Sequence, residues 1–273
     1  MTTTLQGAAA RSVATAWSSR TLVATVIGWV TLVLVLDADG GRWLQQGLGA
    51  VTWLILVWLL SRESALVRVQ TAVVVVFASA VEYTFAPLLH VYSYRFDNVP
   101  MYVPPGHGLV YLAALAIGRS ALVSAYSRIW VGLVLLAGGS YAAYGVVLSD
   151  RPDALGAFWF CCLVGFLRWG PSPGLYVGAF FVVTYLELVG TTLGTWTWGA
   201  TDPTGLVSIG NPPSGAAGGY GWFDLAATFV APALLGRLSR LTVGPAVRAP
   251  RRAGGRWWPR RHHRADRRSP PSW

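Results

Sequence analysis

The sequence predicts an all-α fold: a polytopic integral membrane bundle of about eight transmembrane helices. The first observation is composition, since 54% of the residues are hydrophobic and only 12% are charged. A typical soluble domain has about 25% charged residues. The second is that apolar segments recur along the whole chain. Several approach the ~20 residues that a helix needs to cross ~30 Å of hydrocarbon.

The eight predicted spans follow one another along the chain, at residues 21–36, 43–60, 69–89, 107–126, 129–148, 154–167, 175–195 and 220–238. The first follows Arg11 and Arg20 and runs into Asp37 without a small-residue cleavage site, so we interpret it as a retained span and not as a signal peptide. The sixth is the weakest, because its fourteen residues rise only ~21 Å.

The arginines predict which side of the membrane each connection faces. With eight spans, one side carries most of them: Arg11, Arg20, Arg62, Arg68, Arg128, Arg168 and the C-terminal tail. The opposite connections hold only Arg42, Arg95 and Arg151. Basic residues favour the cytoplasmic side. We therefore predict a multi-pass protein of the cell membrane with both termini in the cytoplasm.

The chain divides into a transmembrane domain at residues 1–238 and a basic tail at residues 239–273. Within the domain, residues 21–126 and 129–238 each hold four predicted spans, and an even number of spans per half predicts a parallel repeat. Each half carries a glutamate within a span and a later Pro-Pro loop. The two loops, 90–106 and 196–219, are the longest in the chain and are predicted to face the extracytoplasmic side. Loops of this length in a compact bundle are usually functional.

The tail is too polar to bury a core, and we expect it to be disordered. Its arginines are expected to attract anionic lipid headgroups, at about 1 kcal/mol per residue near the surface. The simpler alternative is an anchor that fixes the topology and does nothing else. Nucleic acid is not an expected partner, because no recognisable binding fold accompanies the charge.

Glu82 and Glu187 are the strongest candidates for catalytic residues. A carboxylate inside a membrane span costs several kcal/mol unless it meets a partner or water, and it therefore marks a functional site by default. Glu82 lies seven residues before the end of its predicted span and Glu187 eight, on the same side of the membrane, so we expect them to face one cavity and to act as an acid and a base. The alternative for each is a structural hydrogen bond or ion pair between helices.

His107 and Asp224 are predicted to stand at the rim of that cavity. His107 follows Pro104, Pro105 and Gly106, which hold the chain in a defined turn, and an imidazole there is a candidate proton acceptor. The alternative is a histidine that caps the helix. Asp224 lies four residues into the last predicted span as the counterpart of His107. Its alternative is a solvated carboxylate that the helix dipole favours.

Four further residues are predicted to contact a substrate: Arg95, Asp97, Trp198 and Asn211. Arg95 is suited to a phosphate or carboxylate headgroup, or to an ion pair with Asp97. Trp198 belongs to a set of aromatic residues that we expect to form the walls of the site, with Tyr83, Trp196 and Trp222. Asn211 precedes a Pro-Pro pair and is suited to a turn.

No metal site is predicted. His90, His107, Glu82 and Asp97 offer imidazole and carboxylate groups, but they lack the spacing that places two ligands on one helix face. Nothing in the sequence identifies a cofactor.

These features favour an enzyme that acts on a lipid or isoprenoid-type substrate at the extracytoplasmic leaflet. The main alternative is a transporter or channel whose glutamates bind a proton or a cation, since parallel halves around an acidic site suit transport as well. A non-catalytic scaffold of the cell envelope is a third interpretation. ATP-driven transport is disfavoured because the sequence contains no phosphate-binding loop.

Overall fold

The computed structural model describes residues 17–242. In chain order the elements are α1 (Ser19–Asp39), α2 (Arg42–Leu60), α3 (Ala65–Phe85), β1 (Tyr92–Tyr94), α4 (Val103–Gly118), α5 (Ala121–Ala125), α6 (Ser127–Val147), α7 (Ala154–Trp169), α8 (Pro173–Thr192), β2 (Trp196–Trp198) and α9 (Ala216–Thr242). Each of the eight predicted spans overlaps one long helix. The predicted tail lies outside the described residues, apart from positions 239–242, which belong to α9.

Five of the helices, α1, α2, α3, α6 and α8, are long and apolar enough to cross a membrane, judged by length and composition. The helices α4 and α7 are apolar but have only 16 residues each. The helical membrane class is therefore confirmed. The count of eight spans, the parallel repeat and the sides on which the termini lie stay predictions.

The helices α4 and α8 form the centre of the bundle. Most residues of α4 are buried, and a helix that is apolar on every side belongs in an interior. Small residues let the two backbones approach closely. A Cβ atom at Gly178 would collide with the backbone of Ala114, and one at Gly118 would collide with the backbone of Gly174. Around this pair, α3 packs against α4 and α9, and α7 packs against α9.

The two glutamate helices end earlier than the sequence predicts. Pro87 lacks a backbone N–H and cannot extend the hydrogen-bond series of the helix, so α3 ends at Phe85, with Ala86 as its cap, although apolar residues continue to Leu89. The helix α8 ends at Thr192, two residues before Gly194, whose φ of 68° lies in the left-handed region. Each glutamate therefore lies only ~5–8 Å along the axis from the end of its helix.

A short antiparallel sheet connects these helix ends. Strand β1 pairs with β2 in the register Tyr92 with Trp198, Ser93 with Thr197, and Tyr94 with Trp196. The aromatic side chains are buried and the central residues are exposed, as the alternation of side chains along a strand requires. Three residues are too few for a periodic signal, so the sheet was not predicted from the sequence. We call this end of the bundle, with residues 86–102 and 193–215, the strand end.

A buried aspartate fastens the first long loop. The carboxylate of Asp37, near the end of α1, accepts hydrogen bonds from the Gln45 amide at 3.0 Å and the Tyr102 hydroxyl at 2.9 Å. Asn98 in turn donates to the Gln45 side chain at 2.9 Å. The loop is thus held to α1 and α2 by side chains, which satisfy polar groups that would otherwise be buried unpaired.

A second buried aspartate fastens the other loop. Asp153 accepts the backbone N–H groups of Gly210 at 2.8 Å and Ser214 at 2.6 Å. Nearby, the Arg151 guanidinium donates to the carbonyl oxygens of Ile209 at 2.6 Å and Trp198 at 2.7 Å. The loop between β2 and α9 is therefore fixed to the connection between α6 and α7, and it holds β2 in place.

Candidate functional site

A cavity of about 310 Å³ lies at the strand end, between the helices α1 to α4 and α7 to α9 and the two strands. Its walls are almost entirely apolar, and Glu82, Glu187, His107 and Thr52 are their main polar members besides aromatic hydroxyl and indole groups. The aromatic residues of the walls are Trp29, Phe77, Phe85, Tyr92, Tyr94, Tyr102, Trp159, Trp196, Trp198, Tyr220, Trp222 and Phe223.

Both carboxylate oxygens of Glu82 have partners. Oε2 accepts hydrogen bonds from the hydroxyl groups of Tyr92 and Tyr94, each at 2.8 Å. Oε1 lies 2.8 Å from Nε2 of His107, the second residue after the Pro-Pro pair near the start of α4. Burial and the neighbouring Glu82 carboxylate raise the pKa of both tyrosines, so their hydroxyl groups stay protonated and donate. Neither oxygen of Glu82 is therefore without a partner.

The Glu82 carboxylate orients the imidazole of His107. The ring stacks on Tyr220 with centroids 5.1 Å apart and meets the edge of Phe223 at 5.6 Å. Its Nδ1 is buried and has no hydrogen-bond partner among the described residues. A proton on Nδ1 would therefore lack an acceptor, whereas a proton on Nε2 is donated to the carboxylate. In the neutral ring, Nδ1 is then the basic nitrogen.

Glu187 is held differently. The indole N–H groups of Trp196 and Trp198 both donate to its Oε2, each at 3.1 Å. Its Oε1 has no hydrogen-bond partner in the part of the chain that the structure describes, and the side chain borders the cavity. The strands connect the two centres, since the rings of Tyr92 and Trp198 lie 4.6 Å apart. One cavity thus holds a carboxyl group with a free oxygen and a carboxylate–imidazole pair.

The structure places Asp224 away from the rim that was predicted for it. It is buried, it does not border the cavity, and its Oδ2 has no partner among the described residues. The physical reason is the start of α9. The helix begins at Ala216, so Asp224 lies eight residues along it, ~12 Å deep, and not four residues from the start as predicted.

Asp224 belongs instead to a second polar cluster, which we define as Gln70, Tyr111, Tyr176 and Asp224. Each has a buried oxygen without a hydrogen-bond partner in residues 17–242. Asp224 lies within electrostatic range of both tyrosines. Gln70 and Tyr111 also border a cavity of about 140 Å³ that reaches Arg119, at the opposite end of α4 from His107. Polar groups therefore continue from the strand end toward the other end of the bundle.

Of the residues predicted to contact a substrate, only Trp198 borders the main cavity. Arg95 donates to the carbonyl oxygen of Gly40 at 3.2 Å and does not pair with Asp97, which is exposed. The alternation that turns Tyr94 inward turns the next residue, Arg95, away. Asn211 accepts a hydrogen bond from the backbone N–H of Trp198 at 2.9 Å. It therefore holds β2 in place without bordering the cavity.

Two other predicted positions also differ. Tyr83 is exposed and does not border the cavity, because neighbouring residues point ~100° apart around a helix and Glu82 points inward. His90 is exposed, in a left-handed conformation with φ 50°. It does not join Glu82 and His107.

The residues that donate hydrogen bonds to the two glutamates were not predicted from the sequence. A signal for them exists, because each glutamate is followed after nine or ten residues by an aromatic residue, a small polar residue and a second aromatic residue. These are Tyr92 to Tyr94 and Trp196 to Trp198. Tyr220, which stacks on His107, carries no comparable signal.

No protein-family model, no curated protein and no solved structure matches the chain. Its function is therefore inferred from the cavity itself.

Proposed function

We propose that the chain is a membrane enzyme that acts on a lipid or isoprenoid-type substrate by general acid–base chemistry. The observation that carries this proposal is the main cavity. A carboxyl group with a free oxygen, Glu187, and a carboxylate–imidazole pair, Glu82 and His107, border one mainly aromatic space. Positioned acids and bases accelerate proton transfer by about 10²–10⁴-fold.

The hydrogen bonds divide the roles between the three residues. Glu187 exchanges a proton with the substrate through Oε1, while the two indole groups hold Oε2. His107 exchanges the second proton through Nδ1, which is its basic nitrogen when Nε2–H is donated to Glu82. Because Nδ1 is buried, the neighbouring side chains must shift to expose it to the substrate. Glu82 has no free oxygen and acts as a positioning residue that fixes the tautomer and direction of the imidazole.

The walls support an apolar substrate that enters from the lipid. Among the residues that border the cavity, Trp222 exposes 49% of its surface, Phe77 39% and Phe85 36%. These side chains lie on α9 and α3, at the surface of a bundle that is apolar and faces hydrocarbon. In the predicted topology, this opening lies in the extracytoplasmic leaflet.

The proposal is tested by comparing lipid extracts of cells that carry the wild-type chain, the Glu187→Gln variant or an empty vector. Mass spectrometry of the extracts should detect a product with the wild type that is absent with Glu187→Gln and with the vector. Glu63→Gln is the matched control, because Glu63 lies in the connection between α2 and α3, away from the cavity. A product that persists in Glu187→Gln, or extracts that do not differ from the vector, would refute the proposal.

Proton transport is the second candidate, and the second polar cluster favours it. Gln70, Tyr111, Tyr176 and Asp224 extend the polar groups beyond the main cavity, as a path across the bundle requires. The test is a pH-sensitive dye enclosed in liposomes that contain the purified chain. A proton flux that Asp224→Asn abolishes would support transport. No flux above protein-free liposomes would reject it.

A further inference from the structure

The charge of the main cavity restricts what it can hold. Two glutamates border it, and none of the described residues that line it is an arginine. Since the chain contains no lysine, His107 is the one basic side chain in the described lining. A phosphate or diphosphate group would meet two carboxyl groups, and the His107 imidazole is already bonded to Glu82, so its charge would lack a free basic partner in a weakly polar site. The ligand group inside is therefore neutral or positive.

Aromatic rings add a second preference for positive charge. The face of an aromatic ring attracts a cation within about 6 Å of its centroid, and this attraction strengthens when water is excluded. The cavity is enclosed by rings at steep angles to one another. Trp198 lies 4.6 Å from Tyr92 and 5.8 Å from Trp159, and Phe223 lies 5.2 Å from Phe77 and 5.6 Å from Tyr220. Because these residues line one cavity, a ligand inside it would lie against several rings at once.

We infer that the cavity stabilises a carbocation on a neutral, unsaturated isoprenoid. This inference rests on the proposed function and names its substrate class and reaction. Protonated Glu187 donates its proton to one carbon of a C=C bond, whose π electrons form the new C–H bond. The other carbon becomes cationic. A second C=C bond of the same molecule can then supply an electron pair, which forms a C–C bond and moves the positive charge along the chain.

The reaction ends when a carbon next to the cation loses a proton to His107, and the electrons of that C–H bond form a new C=C bond. One proton enters and one leaves, so the product is an isomer of the substrate and no oxidant or reductant is needed. A proton returned from His107 to Glu187 restores the starting state. The arrangement matches this order, because the proton donor and the proton acceptor occupy different walls of one cavity, on α8 and α4.

The test uses an amine that imitates the cation. The probe is N,N-dimethylfarnesylamine, which is protonated at neutral pH. Its neutral isostere has a C–H group in place of the ammonium N–H, and farnesoic acid is the anionic comparison. Binding to the purified full chain is measured by tryptophan fluorescence in dodecyl maltoside micelles, which carry no charge. We expect the amine to bind at least about tenfold more tightly than the isostere, and the acid not to bind.

Phe223→Leu separates aromatic stabilisation from simple attraction to the glutamates. Phe223 is buried in the cavity wall, and leucine keeps the site apolar while it removes the ring. We expect most of the preference for the amine to be lost. Phe229→Leu is the matched control, because Phe229 lies on the same helix and is 65% exposed outside the cavity. It should keep the preference.

Equal affinities for the amine and the isostere would overturn the carbocation inference, and so would an unchanged preference in Phe223→Leu. The proposed function depends on a different result, the loss of product in Glu187→Gln, and neither binding result would change it. The two failures are therefore distinguishable.

Discussion

Glu82 and Glu187 occupy equivalent places in two helix–strand units. Each carboxylate accepts hydrogen bonds from both inward-facing aromatic residues of the strand that follows its helix, and the two strands pair with each other. The two glutamates differ in the hydrogen bonding of one oxygen, Oε1. Oε1 of Glu82 is bonded to His107, whereas Oε1 of Glu187 has no partner among the described residues. Two similar helix–strand units thus hold carboxyl groups for which we propose different roles.

Trp198→Phe should weaken the hold on Glu187. The change keeps an aromatic ring in the wall but removes one of the two N–H donors to Oε2, and a hydrogen bond to a neutral carboxyl group contributes about 0.5–1.5 kcal/mol. We expect a lower thermal unfolding midpoint in detergent and lower product formation. Trp43→Phe is the control, because Trp43 is highly exposed and should tolerate the change. A midpoint for Trp198→Phe equal to that of the control would contradict this role.

Tyr92→Phe combined with Tyr94→Phe should impair the positioning of His107. Without both hydroxyl donors, Oε2 of Glu82 is left unpaired in an apolar cavity and the carboxylate is no longer fixed toward the imidazole. We expect the maximal rate to fall at least about tenfold with little effect on substrate affinity. Tyr83→Phe changes an exposed tyrosine beside Glu82 and should be neutral. Full activity in the double variant would show that these hydroxyl groups do not position the site.

Stability should decrease at high pH because of the same tyrosines. Burial and the nearby Glu82 carboxylate raise the pKa of Tyr92 and Tyr94 well above the ordinary value of about 10. Above pH ~10, the unfolded chain therefore loses protons that the folded chain keeps, and this contribution to stability declines as pH rises further. The pH dependence of the unfolding midpoint between pH 9 and 11 tests it. The double phenylalanine variant should have a shallower decline than the wild type, and an equal slope would contradict the assignment.

Asp153→Asn should loosen the second loop. The asparagine keeps one acceptor oxygen, but its NH₂ group would face backbone N–H groups that now donate to the carboxylate, at a cost of about 3 kcal/mol. We expect faster protease cleavage within residues 199–215. Asp97→Asn is the control, since Asp97 is exposed and asparagine tolerates its positive φ. Equal cleavage rates in the two variants would contradict the fastening role.

The fold class and the location of the site could be predicted from the sequence. Which residues line the site was predicted less well. Hydrophobic segments of helical length predict the bundle directly. Residues that face the same end in both halves, such as Glu82, Glu187, His107 and Trp198, were expected at one site, and the structure places them around one cavity. Their catalytic roles stay predictions.

The errors arose where a side chain's direction depends on a local boundary. Arg95 was placed at the site, but the register of β1 turns it away, and that register is set by pairing with a strand distant in the sequence. Asp224 was placed too near the membrane surface because α9 begins four residues before its predicted start. Neither the pairing of β1 with β2 nor the true start of α9 can be read from hydrophobicity alone.

The most direct test of the central claim is the amount of product formed per membrane-inserted molecule by purified Glu187→Gln, relative to the wild type. Glutamine keeps an oxygen for the two indole donors but cannot donate a proton as a carboxyl group does. If Glu187 is the proton donor, the variant's rate should be below about one hundredth of the wild-type rate. A rate close to that of the wild type, from a variant that inserts and purifies normally, would contradict it.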